Sequence, residues 1–144
     1  MTLAIQRLHP TVQLPRFAHP DDAGLDLYLP EPLILKPGER KTVALGFAMA
    51  LPKGTVGLIW DKSSRAAKWG VKTMGGVIDA GYRGEVKTIV LNSATDRVEL
   101  AAGEPIAQLL IQPVLAPDVT EVVSLDETAR GVGGFGSTHV STSS

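Results

Sequence analysis

Gly and Pro recur along almost the whole of this chain, fifteen and ten of them in 144 residues, and they leave little room for a long helix. Short strands between turns are the alternative. Leu3–Leu8, Leu25–Tyr28, Leu33–Leu35, Thr42–Ala50, Thr55–Trp60, Val86–Asn92, Val98–Leu100, Ile106–Ile111 and Thr120–Val123 read as strands. Lys36-Pro37-Gly38-Glu39 has Pro and Gly where a type II turn prefers them, and Leu51-Pro52-Lys53-Gly54 makes the next turn. Turn after turn without a helical period predicts an all-β sandwich or barrel. One helix is expected within Asp61–Gly70, capped by Ser63 or Ser64 and ended by Gly70.

The length makes one domain the default. An apolar content of 44% and a charged content of 20% describe a soluble globular chain. A net charge of −1 argues against a broad basic surface for a nucleic-acid polymer. Without Cys there is neither a disulfide framework nor a thiolate metal site. Met1–Arg7 lacks the features of a signal peptide, and the longest apolar run, Val43–Leu51, is too short to cross a bilayer. A cytoplasmic protein without membrane or nucleic-acid partners is expected. His9, His19 and His139 have no metal-ligand spacing and read as surface residues.

Three stretches carry candidate chemistry. In Gly75–Val86, two turn-forming clusters bracket Val77-Ile78-Asp79, and Tyr82 and Arg83 follow. Gly75-Gly76 permits close backbone approach, so this hairpin either delivers the Asp79 carboxylate to a pocket or carries a solvated acid. Lys62-Ser63-Ser64 sets two hydroxyls beside a cation at a helix start, within a run of five cations from Lys53 to Lys72. That is a ready anion site or a capped surface helix. Arg130-Gly131-Val132-Gly133-Gly134-Phe135-Gly136-Ser137-Thr138 concentrates Gly around one cation and one aromatic, as an anion-holding nest does. It is no P-loop, because no Gly-Lys-Ser/Thr follows. Gln108, inside an apolar strand, needs a partner or an opening to solvent. Alternation points Asp26 away from the face that Leu25 and Leu27 bury, as for a solvated or turn-capping acid.

In this order, Ala23-Gly24-Leu25-Asp26-Leu27, Lys62-Ser63-Ser64, Gly76–Asp79 with Tyr82-Arg83-Gly84-Glu85, Gly103-Glu104 with Ile106–Leu109, and the tail Arg130–Thr138 closely resemble the motifs of the trimeric dUTP pyrophosphatases (dUTPases). The resemblance runs from about residue 20 to 139. It implies a distorted β jelly roll over residues 1–125 with a mobile, Gly-rich arm over 126–144, and a homotrimer that exchanges arms between subunits. The implied reaction is hydrolysis of dUTP to dUMP and pyrophosphate, by water attack on the α-phosphate with Mg²⁺ on the triphosphate. That activity keeps uracil out of DNA and supplies dUMP for thymidylate synthesis. Asp79 would be the general base, and Tyr82 would pack on the deoxyribose. Backbone around Thr73, Val77 and Ile78 would read uracil, whose edge differs from that of cytosine at two positions. Lys62, Ser63, Ser64, Lys87, Gln108 and Arg130 would contact substrate, mostly its phosphates. Phe135, with Gly136 and Ser137, would cap the base. Asp26 would act on the metal through water.

The chain departs from the family pattern in four places. Lys62 stands where most relatives have Arg, and Asp61 and Arg65 replace small and apolar neighbours. His139 replaces a Gly. The related dCTP deaminases share the Ile-Asp-x-Gly-aromatic pattern, but their catalytic Glu would fall at Ile89, and they lack the tail. A non-catalytic nucleotide-binding module would not require Asp79 or Phe135.

Overall fold

The computed structural model describes residues 2–134. Ten strands and one helix follow in the order β1 (Ala4–Arg7), β2 (Leu25–Tyr28), β3 (Leu33–Leu35), β4 (Arg40–Ala50), β5 (Thr55–Asp61), α1 (Ser63–Trp69), β6 (Val71–Met74), β7 (Val77–Asp79), β8 (Glu85–Asn92), β9 (Val98–Leu100) and β10 (Pro105–Pro113). They form two four-stranded sheets, β1-β4-β8-β6 and β2-β10-β5-β7, and the pair β3-β9. Every pairing is antiparallel, and the chain crosses repeatedly between sheets, as in a jelly roll.

Alternation decides which side chains enter the core. In β8, Val86, Thr88, Val90 and Asn92 turn inward while Lys87 faces out. They meet Leu27, Leu35, Leu45, Phe47, Ile106 and Leu109, all essentially without solvent contact. Each such Leu or Phe contributes about 1.5–3 kcal/mol relative to an exposed position. Asn92 is buried because its amide is satisfied: Nδ2 donates to Leu35 O and Asp96 O, and Oδ1 accepts from the Ala94 amide. The ladder of β4 on β8 shifts register between Ala44 and Ala48, and Gly46, at φ +74°, occupies the irregularity. There the Gly46 amide donates to Glu85 Oε1 at 2.9 Å, and Val12 fills the space a side chain would need.

Most strands lie where the sequence predicts them, with three corrections. Thr120–Val123 forms no strand. Beyond β10 the Val114 amide donates to Gly54 O, and the segment then runs without strand or helix, with Leu115, Val119, Val123 and Leu125 projecting into solvent. A strand needs a partner ladder, and the described residues offer none there. Second, Val71–Met74 pairs with β8 as an additional strand. Third, the N-cap of α1 is Lys62, with no side-chain capping bond, so Ser63 and Ser64 lie inside the first turn with their side chains exposed. Gly70 ends the helix in the left-handed conformation, as expected.

Candidate active site

Asp79 ends β7, whose pairing on β5 sets Asp79 opposite Val56 and Val77 opposite Leu58. The strand approaches β5 closely because Gly76 precedes it. Gly76 has φ +99°, and a Cβ there would stand 2.8 Å from Ile59 O. The Ile59 amide in turn donates to Gly76 O. The expected hairpin is not formed: β7 pairs with β5 and β8 with β4 and β6, so Ala80–Gly84 crosses from one sheet to the other. At this crossover lies a cavity of about 200 Å³ walled by Ile59, Gly76, Val77, Ile78, Tyr82 and Val86, with Asp79 and Lys87 at its polar side. That is well below the roughly 300–1,000 Å³ of a site enclosing a whole small ligand, and suits one ring. Tyr82 lies across Gly84, where any Cβ would collide with the phenol, and its hydroxyl donates to Glu85 O at 3.0 Å. The ring is therefore held in one orientation while 44% exposed.

A second constellation occupies the other end of the same sheet. Asp26 on β2, Gln108 on β10 and Trp60 on β5 are register partners, so all three project from the outer face. Asp26 is not the solvated acid that alternation predicts. It is 8% exposed, and Lys62 Nζ reaches its Oδ1 at 2.5 Å. Alternation assigns the face correctly, but it cannot reveal that Lys62 covers that face. Gln108 donates from Nε2 to the Asp61 carbonyl at 2.8 Å, and its Oε1 occupies the place of a Gly24 Cβ, 2.7 Å away. Gly24 thus makes room for the Gln108 amide.

The run of cations is not a free positive patch. Lys62 pairs with Asp26, Arg65 with Glu104, and Lys72 with Asp61. Lys68 lies over the Trp69 ring. Thr73, expected to help read the base, instead points away from the cavity, because its amide and hydroxyl both donate to Asp61 Oδ1, at 2.6 and 2.5 Å. Partial burial pushes the Asp61 carboxyl up, but the bonds from Lys72 and Thr73 prevail and hold it below its ordinary 3.8. In sequence Asp61 stands out only as a departure from the family pattern; the signal for its bonds is an acid flanked by Lys and hydroxyl residues. Arg130 is exposed, its Nε donating to Gly133 O at 3.0 Å. Phe135, Gly136, Ser137 and His139 lie outside the described residues.

The two constellations do not meet within one chain. Lys62 is six residues beyond Val56, the partner of Asp79, which is roughly 20 Å along a strand. Between them the outer face of the sheet is apolar, with Trp60 and Val77 well exposed beside Leu58, Leu110 and Val56. Among the described residues no group of three or more His, Cys, Asp or Glu could hold a metal ion. Asp26, the carboxylate expected to act on Mg²⁺, is occupied by Lys62, which leaves it a role only through water on an ion carried by substrate phosphates. No described helix is long and apolar enough to cross a membrane.

A family model described as dUTPase matches residues 11–139. The deoxyuridine 5'-triphosphate nucleotidohydrolase of Nocardia farcinica is 49% identical over 138 residues, covering 94% of this chain and 84% of the relative. That of Corynebacterium diphtheriae is 49% identical over 141 residues, covering 96% and 93%. Among solved structures, a mutant dUTPase of Staphylococcus bacteriophage 80alpha with dUpNHpp superposes with a TM-score of 0.89 at 27% identity, over 96% of this chain and 99% of that one. A mutant dUTPase of the S. aureus phage phi11, described as coordinating a structural Mg(II) ion, gives 0.82 at 25% identity, over 88% and 100%. The Gly-shaped cavity and the Asp26–Lys62–Gln108 cluster stand on the motifs of that model, and the chain belongs to the dUTPase family.

Proposed function

We propose that this chain hydrolyses dUTP to dUMP and pyrophosphate at a site assembled between copies of itself. Asp79 takes the proton of a water that attacks the α-phosphate; the bond to the β-phosphate breaks and pyrophosphate departs. The observation that carries the reading is the Asp79 carboxylate on a ring-sized cavity that the Gly76–Ile78 segment and Tyr82 help to line. Backbone groups of Gly76–Ile78 read the uracil edge, without the expected help of Thr73, whose amide is taken by Asp61. Cytosine would leave two of them buried and unpaired, a large penalty for the wrong base. Tyr82, immobilised on Gly84, packs against the deoxyribose and leaves no room for a 2′-hydroxyl. Lys62, Ser63, Ser64, Lys87 and Gln108 bind the polyphosphate and its surroundings. Bound Mg²⁺ would supply charge neutralisation on the phosphates, and Asp26 would hold it through water.

Assembly between copies follows from the separation of roughly 20 Å, since one nucleotide must touch both ends. The apolar outer face and the exposed Val114–Leu125 strap support a homotrimer. In this reading residues 126–144 are the arm of one subunit, closing over Asp79 of another with Arg130 on phosphate and Phe135, Gly136 and Ser137 over the base. A cytoplasmic location accords with nucleotide housekeeping. The test is incubation with dUTP or dCTP and Mg²⁺, following pyrophosphate and ammonia separately. Pyrophosphate from dUTP alone is the expected result. Ammonia from dCTP would overturn the reading in favour of a deaminase.

A further inference from the structure

Asp61 and Arg65 stand immediately before and after Lys62-Ser63-Ser64, and the chemistry above uses neither side chain. Both are tied to other strands. Asp61 Oδ1 accepts the Thr73 amide and hydroxyl on β6, and Oδ2 accepts Lys72 Nζ at 2.7 Å. Its main-chain oxygen holds the Gln108 amide. Arg65, 7% exposed, donates from Nε to Pro105 O at 2.8 Å and from Nη2 to Glu104 Oε1 at 2.9 Å, at the entry to β10. Its guanidinium also lies 4.6 Å from the Trp69 ring centroid.

Stability alone is a poor account of these bonds. A buried guanidinium is costly to desolvate, and an apolar side chain of similar volume fills such a space at least as favourably. What directed, charge-assisted bonds add over apolar packing is a fixed orientation. One tie joins the front of the segment to β6 and the other joins its back to β10. The three residues between them are thereby fixed at both ends before any ligand arrives. We propose that Asp61 and Arg65 are positioning residues that hold Lys62-Ser63-Ser64 and Gln108 in a shape ready for a polyphosphate chain. This rests on the phosphate role assigned to that segment above.

Binding to the full-length protein tests it, with inorganic tripolyphosphate, dUMP and a non-hydrolysable dUTP analogue titrated calorimetrically. Asp61→Ala should weaken tripolyphosphate and the dUTP analogue by roughly tenfold or more, as for a misplacement of about 1 Å, and leave dUMP nearly unchanged. Asp61→Asn keeps an acceptor for Thr73 and should recover most of the loss. Arg65→Met, which preserves volume, should behave like Asp61→Ala. If it does not fold, Glu104→Gln removes the same ion pair from the exposed side. In turnover of dUTP the loss should appear in KM rather than kcat. Unchanged tripolyphosphate affinity in a folded Asp61→Ala protein would overturn the inference, and so would an equal loss of dUMP. Failure of the unaltered protein to bind the dUTP analogue while it still binds tripolyphosphate would instead overturn the substrate assignment.

Discussion

The two ends of the β2-β10-β5-β7 sheet are built on different physics. At the Asp79 end the shape comes from missing side chains: Gly76 lets β7 lie on β5, and Gly84 receives the Tyr82 ring. Asp79 there is exposed, and Tyr82 keeps much of its ring open to solvent while its hydroxyl is tied to Glu85 O. At the Asp26 end the shape comes from mutual satisfaction of charges, with Lys62 on Asp26, Lys72 on Asp61 and Arg65 on Glu104. A ligand arriving at the first end meets a preformed hollow. One arriving at the second must displace or share an existing partner of Lys62. Damage at the first end should therefore register in chemistry, and damage at the second in affinity.

The sharpest way to break that contrast is to spoil one end at a time. Asp79→Asn should lower kcat by at least ~10²-fold with nucleotide binding retained. A second variant, Ser64→Ala with Gln108→Ala, keeps Asp79 but should bind dUTP too weakly to turn it over at low substrate concentration, where the mixture is assayed. Unfolding and refolding the two together should restore activity well above either parent, because some sites then combine two intact ends. Activity at the parental level would mean that each chain completes its own site. A smaller effect is expected from Gly24→Ala. Its Cβ would stand 2.7 Å from Gln108 Oε1 and push the amide away. KM for dUTP should rise by about tenfold with kcat within about twofold. A fall in kcat at constant KM would erase the distinction between the ends.

The mildest expected effect is on stability in acid. The Asp61 carboxyl is held below 3.8, burial being outweighed by Lys72 and Thr73. That of Glu104 is held below 4.5, first by the Ala101 amide and then, against some burial, by Arg65. Groups depressed on folding stabilise above their unfolded values and lose that contribution as pH falls through the folded ones. The denaturation midpoint should thus be flat at neutral pH and decline below 4.5 and again below 3.8. Asp61→Asn should flatten the lower part of that decline. An unchanged profile would show that the Asp61 bonds carry no net charge preference.

Much of the strand pattern was legible in the sequence, because turn residues and alternation are local signals; the hairpin expected around Asp79 was not, since β7 pairs with β5 instead of β8. Leu33–Leu35 and Val98–Leu100 form strands with the expected bounds, and Gly70 ends α1 as expected. The Asp26 end was legible only as residue types. Nothing local to Asp26 announces that Lys62, thirty-six residues on, will cover it. The same limit applies to Asp61 and Thr73, which meet only after α1 folds the chain back. Thr120–Val123 misled for the opposite reason. Its β-branched composition is a good local signal, but a strand also requires a neighbour, which is a property of the whole assembly.

The strap beyond β10 bears on how a newly made chain stays soluble. Leu115, Val119, Val123 and Leu125 are almost fully exposed, within a stretch of high β-propensity. Such a stretch invites pairing with any open strand edge. Pro113 and Pro117 interrupt its amide row, and Asp118, Glu121, Asp126 and Glu127 put like charges along it. These residues act as gatekeepers against disordered clumping: two straps repel each other, while an apolar surface on a correctly folded neighbour can still accept one.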